Sequence, residues 1–415
     1  MKKNKIHLNL PAVILILLAA AAAFGQRAIK DLRPTVILIS IDGFRPDYLE
    51  KYQPPTLNKL AREGTRAKFM TPSFPTKTFP NHYAIATGLY PENNGIVENN
   101  IYDFGTVFRM NIKEEVQNGR WWLGEPIWVT AEKQGQTAAA MFFPGTEAEI
   151  EGTRPTFWKP YQHTLPHEPR VDQILAWLDL PKNERPTFLT LYFDDVDTQG
   201  HRHSPDSPET RDAVLKVDKA VERLMNGLKA RKIDRKANVI IVSDHGMAAL
   251  DQRNAVVLDD LVDLDLAERI LWTNEIVQIF PKEGRAQEMA DALKTVEHGW
   301  CLPKAEIPAR LHYSKGPRVA PIVCSADEGW MYTSREYFEK LKKRDDFGKT
   351  IGAHGYDNKY ESMHAVFIGH GKAFRKHKVV EGFPNVDVYE LMCKILHLKP
   401  AKNDGDFKRV SMMLR

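Results

Sequence analysis

Residues 35–48 read TVILISIDGFRPDY. The first seven, Thr35–Ile41, form a short unbroken apolar run, the signature of a strand buried on both faces of a sheet. The run stops at Asp42-Gly43, so an acidic side chain stands where the strand leaves the sheet. Apolar runs of the same kind recur along the chain, and several hand over to an acid or a histidine. Thr137–Phe143 (TAAAMFF) ends in Pro144-Gly145, Thr187–Phe193 (TFLTLYF) in Asp194-Asp195, and Asn238–Ser243 (NVIIVS) in Asp244-His245. Ala365–Gly369 reads as a further strand. Between the strands lie helical patterns: one opened by Pro54-Pro55-Thr56 and closed by Gly64, one over Glu209–Arg231 with Val214, Val217, Val221, Leu224, Met225 and Leu228 on one stripe, and a last helix over Val386–Leu396. Apolar strands alternating with amphipathic helices predict an α/β fold with a mostly parallel central sheet flanked by helices. From about Val256 to Lys340 the rhythm breaks. Glu275–Phe280, a helix around Arg285–Val296, then Arg310–Tyr313 and Gly329–Tyr332 read as a small α+β insertion.

Composition bounds the function. The chain has 415 residues, 43% apolar and 27% charged, which excludes a wholly disordered, collagenous or polytopic membrane protein. No repeat of 20–50 residues is visible, so a solenoid is not expected. Three of the charges behind the net +4 are Lys2, Lys3 and Lys5, and no Lys/Arg run suggests a nucleic-acid polymer as partner. Those lysines precede an apolar run, Ala12–Phe24, too short to span a bilayer comfortably. With small residues at Ala23 and Gly25 it reads as a signal peptide over residues 1–25, giving a mature chain from Gln26 and an exported protein, periplasmic or secreted, without a stable membrane anchor. An uncleaved N-terminal anchor is the alternative. No Cys near the cut indicates a lipid anchor. Cys301, Cys324 and Cys393 could supply one disulfide and one leftover thiol, but no framework.

Chemistry concentrates at the strand exits. Asp42 ends the first strand, and Asp197 and His201 sit four apart in DTQGH. Asp244 and His245 end a strand as SDHG, His354 lies in GAHGYDN, and Thr78 in TFPNH. Singly, each has an ordinary explanation: a turn former, a surface pair at helical spacing, a helix cap. Together, three aspartates and three histidines at the exits of parallel strands are hard to explain as turns, because ligands of such sheets bind outside the carboxyl ends of the strands. Mixed carboxylate and imidazole ligands without thiolate suit a catalytic zinc site.

Ile37–Tyr48 (ILISIDGFRPDY), Pro72–Tyr83 (PSFPTKTFPNHY), Gly88–Asp103 (GLYPENNGIVENNIYD), Asp197–His201, Ser243–Met247 (SDHGM) and Gly352–Asn358 (GAHGYDN) resemble the nucleotide pyrophosphatase/phosphodiesterases of the alkaline phosphatase superfamily. The resemblance covers nearly the whole chain after residue 25, with the motifs in the family's order. It implies an alkaline phosphatase-like fold, with residues 26–415 as one catalytic domain, in an exported bacterial member of the family. It implies two Zn2+ per chain, one held at Asp197, His201 and His354, the other at Asp42, Asp244 and His245 with the nucleophile Thr78. Asn99 matches the asparagine that hydrogen-bonds a phosphate oxygen. Phe79 and Tyr161 match the aromatics that sandwich the nucleobase, although packing alone would also account for them. The activity implied is cleavage of nucleotide phosphodiester and pyrophosphate bonds through a phosphothreonine intermediate, releasing nucleoside 5′-monophosphates.

Rivals remain at this level. Sulfatases need C/S-x-P-x-R; Ser73–Lys77 and Cys301–Ala305 both lack the arginine. The superfamily's phosphomonoesterases use a serine and an added arginine clamp, which Thr78 and Asn99 do not match. A lipid-head-group diesterase stays open, since an aromatic cage suits choline as well as a base, and a non-enzymatic zinc-binding protein stands behind it. Manganese or iron could occupy the same ligands.

Overall fold

The computed structural model describes residues 28–415, so the expected signal peptide lies outside the described residues. The run that opened the sequence analysis becomes strand β1, Val36–Ile41, buried at all six positions. Around it an eight-stranded sheet assembles from β2 (Thr65–Ala67), β3 (Ala138–Met141), β4 (Phe157–Trp158), β5 (Phe188–Phe193), β6 (Asn238–Val242), β7 (Phe367–Gly371) and β8 (Lys378–Val380), in the spatial order β8-β2-β7-β6-β1-β5-β3-β4. β1 lies in the middle, parallel to β5 on one side and β6 on the other. The expected strand at Ala365–Gly369 begins two residues later and runs antiparallel to β6. Its amino end therefore lies at the edge where β1, β5 and β6 exit.

Alternation along β1 sorts the core. Ile37, Ile39 and Ile41 pack with α1 (Pro55–Glu63), with α3 (His167–Leu178) and with α5 (Pro208–Ala230). Val36 and Leu38 face the other way, toward α2 (Thr78–Thr87) and α6 (Asp387–Leu396). The period of two then places Ser40 and Asp42 on the α2 side. The helix read over Glu209–Arg231 is α5, started by Ser207, whose Oγ accepts from Thr210 N at 3.1 Å, and by Pro208 at N1. Its Asp218 reaches across to accept from Thr56 N and Leu57 N at 3.1 and 2.7 Å, capping α1. Leu224 on α5 is fully buried in the Ile37/Ile39 core. Leu224→Ala should therefore cost about 2–5 kcal/mol of stability while leaving the strand-exit chemistry intact. Denaturant midpoints would check this, and a loss well below that range would mean the site can collapse around the smaller side chain.

Between β6 and β7 stands a second, four-stranded antiparallel sheet, ordered Ala267–Trp272, Ile276–Pro281, Ile322–Ala326, Gly299–Pro303. The sequence reading located Ile276–Pro281 and the helix Ala286–Leu293 but missed the other three strands: AERILW is broken by charge, GWCLP is bounded by Gly and Pro, and IVCSA is short. Arg310–Tyr313 is not extended: Ala309–Leu311 is a 3₁₀ turn. Met331–Thr333 pairs with Ala255–Val257 outside that sheet. Cys301 and Cys324 face each other across neighbouring strands and form a disulfide, leaving Cys393 as a buried thiol on α6. A short helix, Phe407–Val410, follows α6, so the helix at Asp387–Leu396 is not the last.

Candidate active site

Three strand exits converge on one edge. β1 delivers Asp42, β6 delivers Asp244 and His245, and β5 leads into α4 (Asp195–His203), which carries Asp197 and His201 one turn apart. The backbone turns tightly there. Gly43 adopts φ +67°, and a Cβ on it would meet Asp197 Cα at 3.0 Å, so only glycine lets β1 pass α4 this closely. The amide of Gly43 donates to Asp244 Oδ1 at 3.2 Å, and Tyr192, near the end of β5, donates its hydroxyl to Asp42 Oδ2 at 2.6 Å. His354 follows the strand Thr350–Ala353, which pairs with Ala248–Asp251 just past His245.

Each of the three histidines is oriented the same way. Nδ1 of His201 lies 2.8 Å from Gly352 O, Nδ1 of His245 2.8 Å from Gly246 O, and Nδ1 of His354 2.8 Å from Thr76 O. A carbonyl can only accept, so each Nδ1 carries a hydrogen, and the neutral ring presents its lone pair at Nε2. These lone pairs face carboxylates. His201 Nε2 and His354 Nε2 stand 3.3 and 3.6 Å from Asp197 Oδ1; His245 Nε2 stands 3.4 Å from Asp42 Oδ1 and 3.0 Å from Asp244 Oδ2. Those three oxygens, Asp42 Oδ1, Asp197 Oδ1 and Asp244 Oδ2, are buried without a hydrogen-bond partner. With the rings neutral, acceptor faces acceptor in a buried cluster, which is unfavourable unless a cation, a proton or a metal ion, sits between them. The donor set therefore fits divalent metal, with the backbone carbonyls as the groups that fix each imidazole.

Electrostatics agrees. Burial, then the charges of Asp244 and Asp197, pushes the Asp42 carboxyl well above its usual range. Burial opposes charge on Asp244 too, but the His245 and His82 rings beside it hold it well below that range. Burial also opposes the His201 imidazolium, yet Asp197 lifts it to about 9, whereas burial together with His245, His201 and Lys77 depresses His354. Groups forced this far apart in one small volume mark a functional site.

Ligand atoms mutually within 4.8 Å fall into three sets: Asp197, His201 and His354; Asp42, Asp197 and His245; and Asp42, His82 and Asp244. The first coincides with one of the expected trios. The other expected trio is split between the remaining two sets, and His82, which the sequence reading left without a role, enters. Its spacing of four from Thr78 inside TFPNH was the available signal.

Thr78 is the first residue of α2, and its Oγ1 lies 3.3 Å from His245 Nε2. A ten-residue helix thus points its positive end at the spot where an anion would meet that hydroxyl. Asn99 Oδ1 accepts from Phe79 N at 2.9 Å. This fixes the amide's orientation and leaves Nδ2 as a donor. Phe79 is nine-tenths buried, its ring centroid 5.8 Å from Phe108 and 6.0 Å from Trp122. Tyr161 is 45% exposed, edge-on to Phe142 and Tyr192, and its amide is held by Glu147 at 2.7 Å. Tyr161 thus reaches the centre through Tyr192 and Asp42. The sequence reading also missed Lys77, which is buried next to Thr78 and paired with Glu275 at 2.5 Å, tying the Thr78 segment to the second sheet.

An alkaline phosphatase-like α/β sheet with a cation-ready cluster of aspartate and histidine at its strand exits defines the class. The comparisons with known proteins agree with it. Residues 36–357 match the family described as type I phosphodiesterase / nucleotide pyrophosphatase. The chain is 39% identical over 392 residues to venom phosphodiesterase 2 of Crotalus adamanteus and 36% identical over 395 residues to ectonucleotide pyrophosphatase/phosphodiesterase family member 3 of Rattus norvegicus, covering 92% of this chain in both cases. Those alignments take in 47% and 44% of the relatives, so the chain spans about half the length of the curated relatives it matches. The structure of murine ectonucleotide pyrophosphatase/phosphodiesterase 5 superposes with TM-score 0.85 at 34% identity, covering 92% of this chain and all of that one. The inactive threonine-to-alanine form of that murine protein, in complex with AMP, superposes equally well. The chain belongs to the type I phosphodiesterase / nucleotide pyrophosphatase family.

Proposed function

We propose that the protein is a metal-dependent hydrolase that cleaves phosphodiester and pyrophosphate bonds of small nucleotides and their derivatives, releasing nucleoside 5′-monophosphates. The observation that carries the reading is the gathering of three imidazole Nε2 atoms and three partnerless carboxylate oxygens in one cluster, which touches the hydroxyl at the head of α2 through His245. Two ions, zinc by the chemistry of the ligands, would be held by Asp197, His201 and His354, and by Asp42, Asp244 and His245 with the Thr78 oxygen. Bound there, they would lower the pKa of the Thr78 hydroxyl and neutralise charge growing on the phosphoryl oxygens.

The chain's own groups carry the remaining roles. Thr78 Oγ attacks phosphorus, and the bond to the leaving half breaks, giving a phosphothreonine ester. Water then attacks that ester, releases the monophosphate and restores the hydroxyl. Asn99 Nδ2 donates to a non-bridging oxygen, and the amino end of α2 favours the same charge. Phe79 and Tyr161 flank the base. We treat residues 26–415 as one catalytic domain with an insertion at about 256–340, exported to the periplasm or medium after loss of residues 1–25 and without a stable membrane anchor. No helix among the described residues is long and apolar enough to cross a membrane. The partner we infer is a small nucleotide rather than a nucleic-acid polymer.

The test compares turnover of a p-nitrophenyl nucleoside monophosphate, a methyl p-nitrophenyl phosphate and a choline phosphodiester. The nucleotide should be preferred. Phe79→Ala or Tyr161→Ala should cost that substrate roughly ten- to hundred-fold, the equivalent of 1–3 kcal/mol of stacking, and leave the base-free diester nearly unchanged. Equal losses on both would make the aromatics packing residues, and preference for the choline ester would move the assignment to a lipid-head-group diesterase.

A further inference from the structure

His82 is fully buried on α2, one turn after Thr78, and both of its ring nitrogens are occupied. Nδ1 lies 2.9 Å from the Thr78 carbonyl and 3.3 Å from Asp244 Oδ2, and Nε2 lies 2.8 Å from Ser40 Oγ. The carbonyl can only accept, so Nδ1 carries the hydrogen, and Nε2 then accepts from the Ser40 hydroxyl. The ring is held edge-on between Phe143 and Tyr192, with centroids at 5.0 and 5.4 Å. His82 thus inverts the pattern of His201, His245 and His354, whose Nε2 atoms point into the carboxylate cluster. Its atoms lie close enough to Asp42 and Asp244 to complete a metal-ligand set, but the nitrogen that faces them bears a hydrogen and has no lone pair to offer.

We infer that His82 is a positioning residue. Its Nδ1–H donates to the carbonyl of the nucleophile's residue and lies against the carboxylate of Asp244, while Ser40 anchors the ring from behind. By hydrogen-bonding the carbonyl and packing against the carboxylate, it sets the separation of the hydroxyl from the ion that Asp244 would hold. Three elements meet in that one ring: β1 through Ser40, the exit of β6 through Asp244, and the first turn of α2 through Thr78. Hydrogen-bond partners of this kind, one step removed from the metal, are typically worth about 10–100-fold in metal affinity or activity. The inference rests on the functional reading above.

The test uses His82→Ala, His82→Asn, His82→Gln and Ser40→Ala in the full-length protein, with zinc as the probe. Asparagine places an amide nitrogen where Nδ1 stood; glutamine does not. His82→Ala should lower kcat about 10–100-fold with KM little changed and weaken the affinity for one of two zinc ions by a similar factor in chelator competition. Two ions should still bind at saturating zinc. His82→Asn should recover most of both quantities, His82→Gln should not, and Ser40→Ala should fall between. Unfolding midpoints, read on the same samples, separate loss of packing from loss of positioning. The inference is overturned if His82→Asn is as impaired as His82→Ala, if saturating zinc leaves a single ion in His82→Ala, which would make His82 a ligand, or if the variants lose stability but keep kcat and zinc affinity. A wild-type protein with neither zinc nor turnover would instead overturn the functional reading itself.

Discussion

Thr78→Ala should remove phosphodiester turnover by on the order of 10⁴-fold or more, about 5 kcal/mol of barrier, while zinc content and fold stay nearly unchanged. The size of the effect follows from the role. Deleting a nucleophile removes the covalent route altogether, and what survives is the binding and charge stabilisation that the rest of the site supplies. The structure explains why the fold should tolerate the change. Thr78 begins α2 rather than sitting inside it, His245 is the one hydrogen-bond partner of its hydroxyl among the described residues, and alanine is a good helix former. The measurement is steady-state kcat with metal analysis on the same preparation. A variant that keeps near-normal kcat would take Thr78 out of the nucleophile's role. A variant that loses zinc as well would show the hydroxyl to be needed to assemble the centre.

Removing a member of the carboxylate–imidazole cluster should be nearly as damaging, and site by site. His201→Ala or His354→Ala should leave one zinc per chain, and Asp244→Ala should release the other, with the loss falling mainly on kcat because the ions stabilise charge that grows in the transition state. Asp244 is the most telling position. It is completely buried, one oxygen is fixed by Gly43 N, and the other has no partner. Chelation should also lower the unfolding temperature. Without cations Asp42, Asp197 and Asp244 remain crowded together, and loss of a ligand bound at 1,000 times its Kd withdraws about 4 kcal/mol of stabilisation. Two ions retained in every variant would contradict the assignment, and an unfolding temperature indifferent to chelator would mean that the cluster stays together without metal.

Local patterns were legible wherever local physics decides. β1, β5, β6, α1 and α5 lie within a residue or two of their expected ends, because unbroken apolar runs, a proline start and a 3.6-residue stripe each reflect a demand made by neighbours in the chain. The strands at Ala267–Trp272, Gly299–Pro303 and Ile322–Ala326 were not legible. Charges break the apolar pattern of the first, glycine and proline bound the second, and the third is a five-residue run, IVCSA, too short to stand out by period alone. The sequence could not say that β7 runs antiparallel either, since direction depends on the route of the connection and not on the strand's own residues.

The site divides in the same way. By itself the sequence determined the chemical inventory: an acid or histidine at three strand exits, a threonine ahead of a helix, and no thiolate among them. Residue type and position relative to a strand end suffice for that. Only the tertiary structure decided that Asp42, Asp197, Asp244, His201, His245 and His354 face one another, which nitrogen of each imidazole is free, and that His82, equally near, has none to give. Those are matters of hydrogen-bond direction, and direction is set by carbonyls and hydroxyls from remote segments: Thr76 for His354, Gly352 for His201, Ser40 for His82. A histidine carries the same two nitrogens in any sequence; which of them can bind a cation depends on the acceptor that the fold brings to the other.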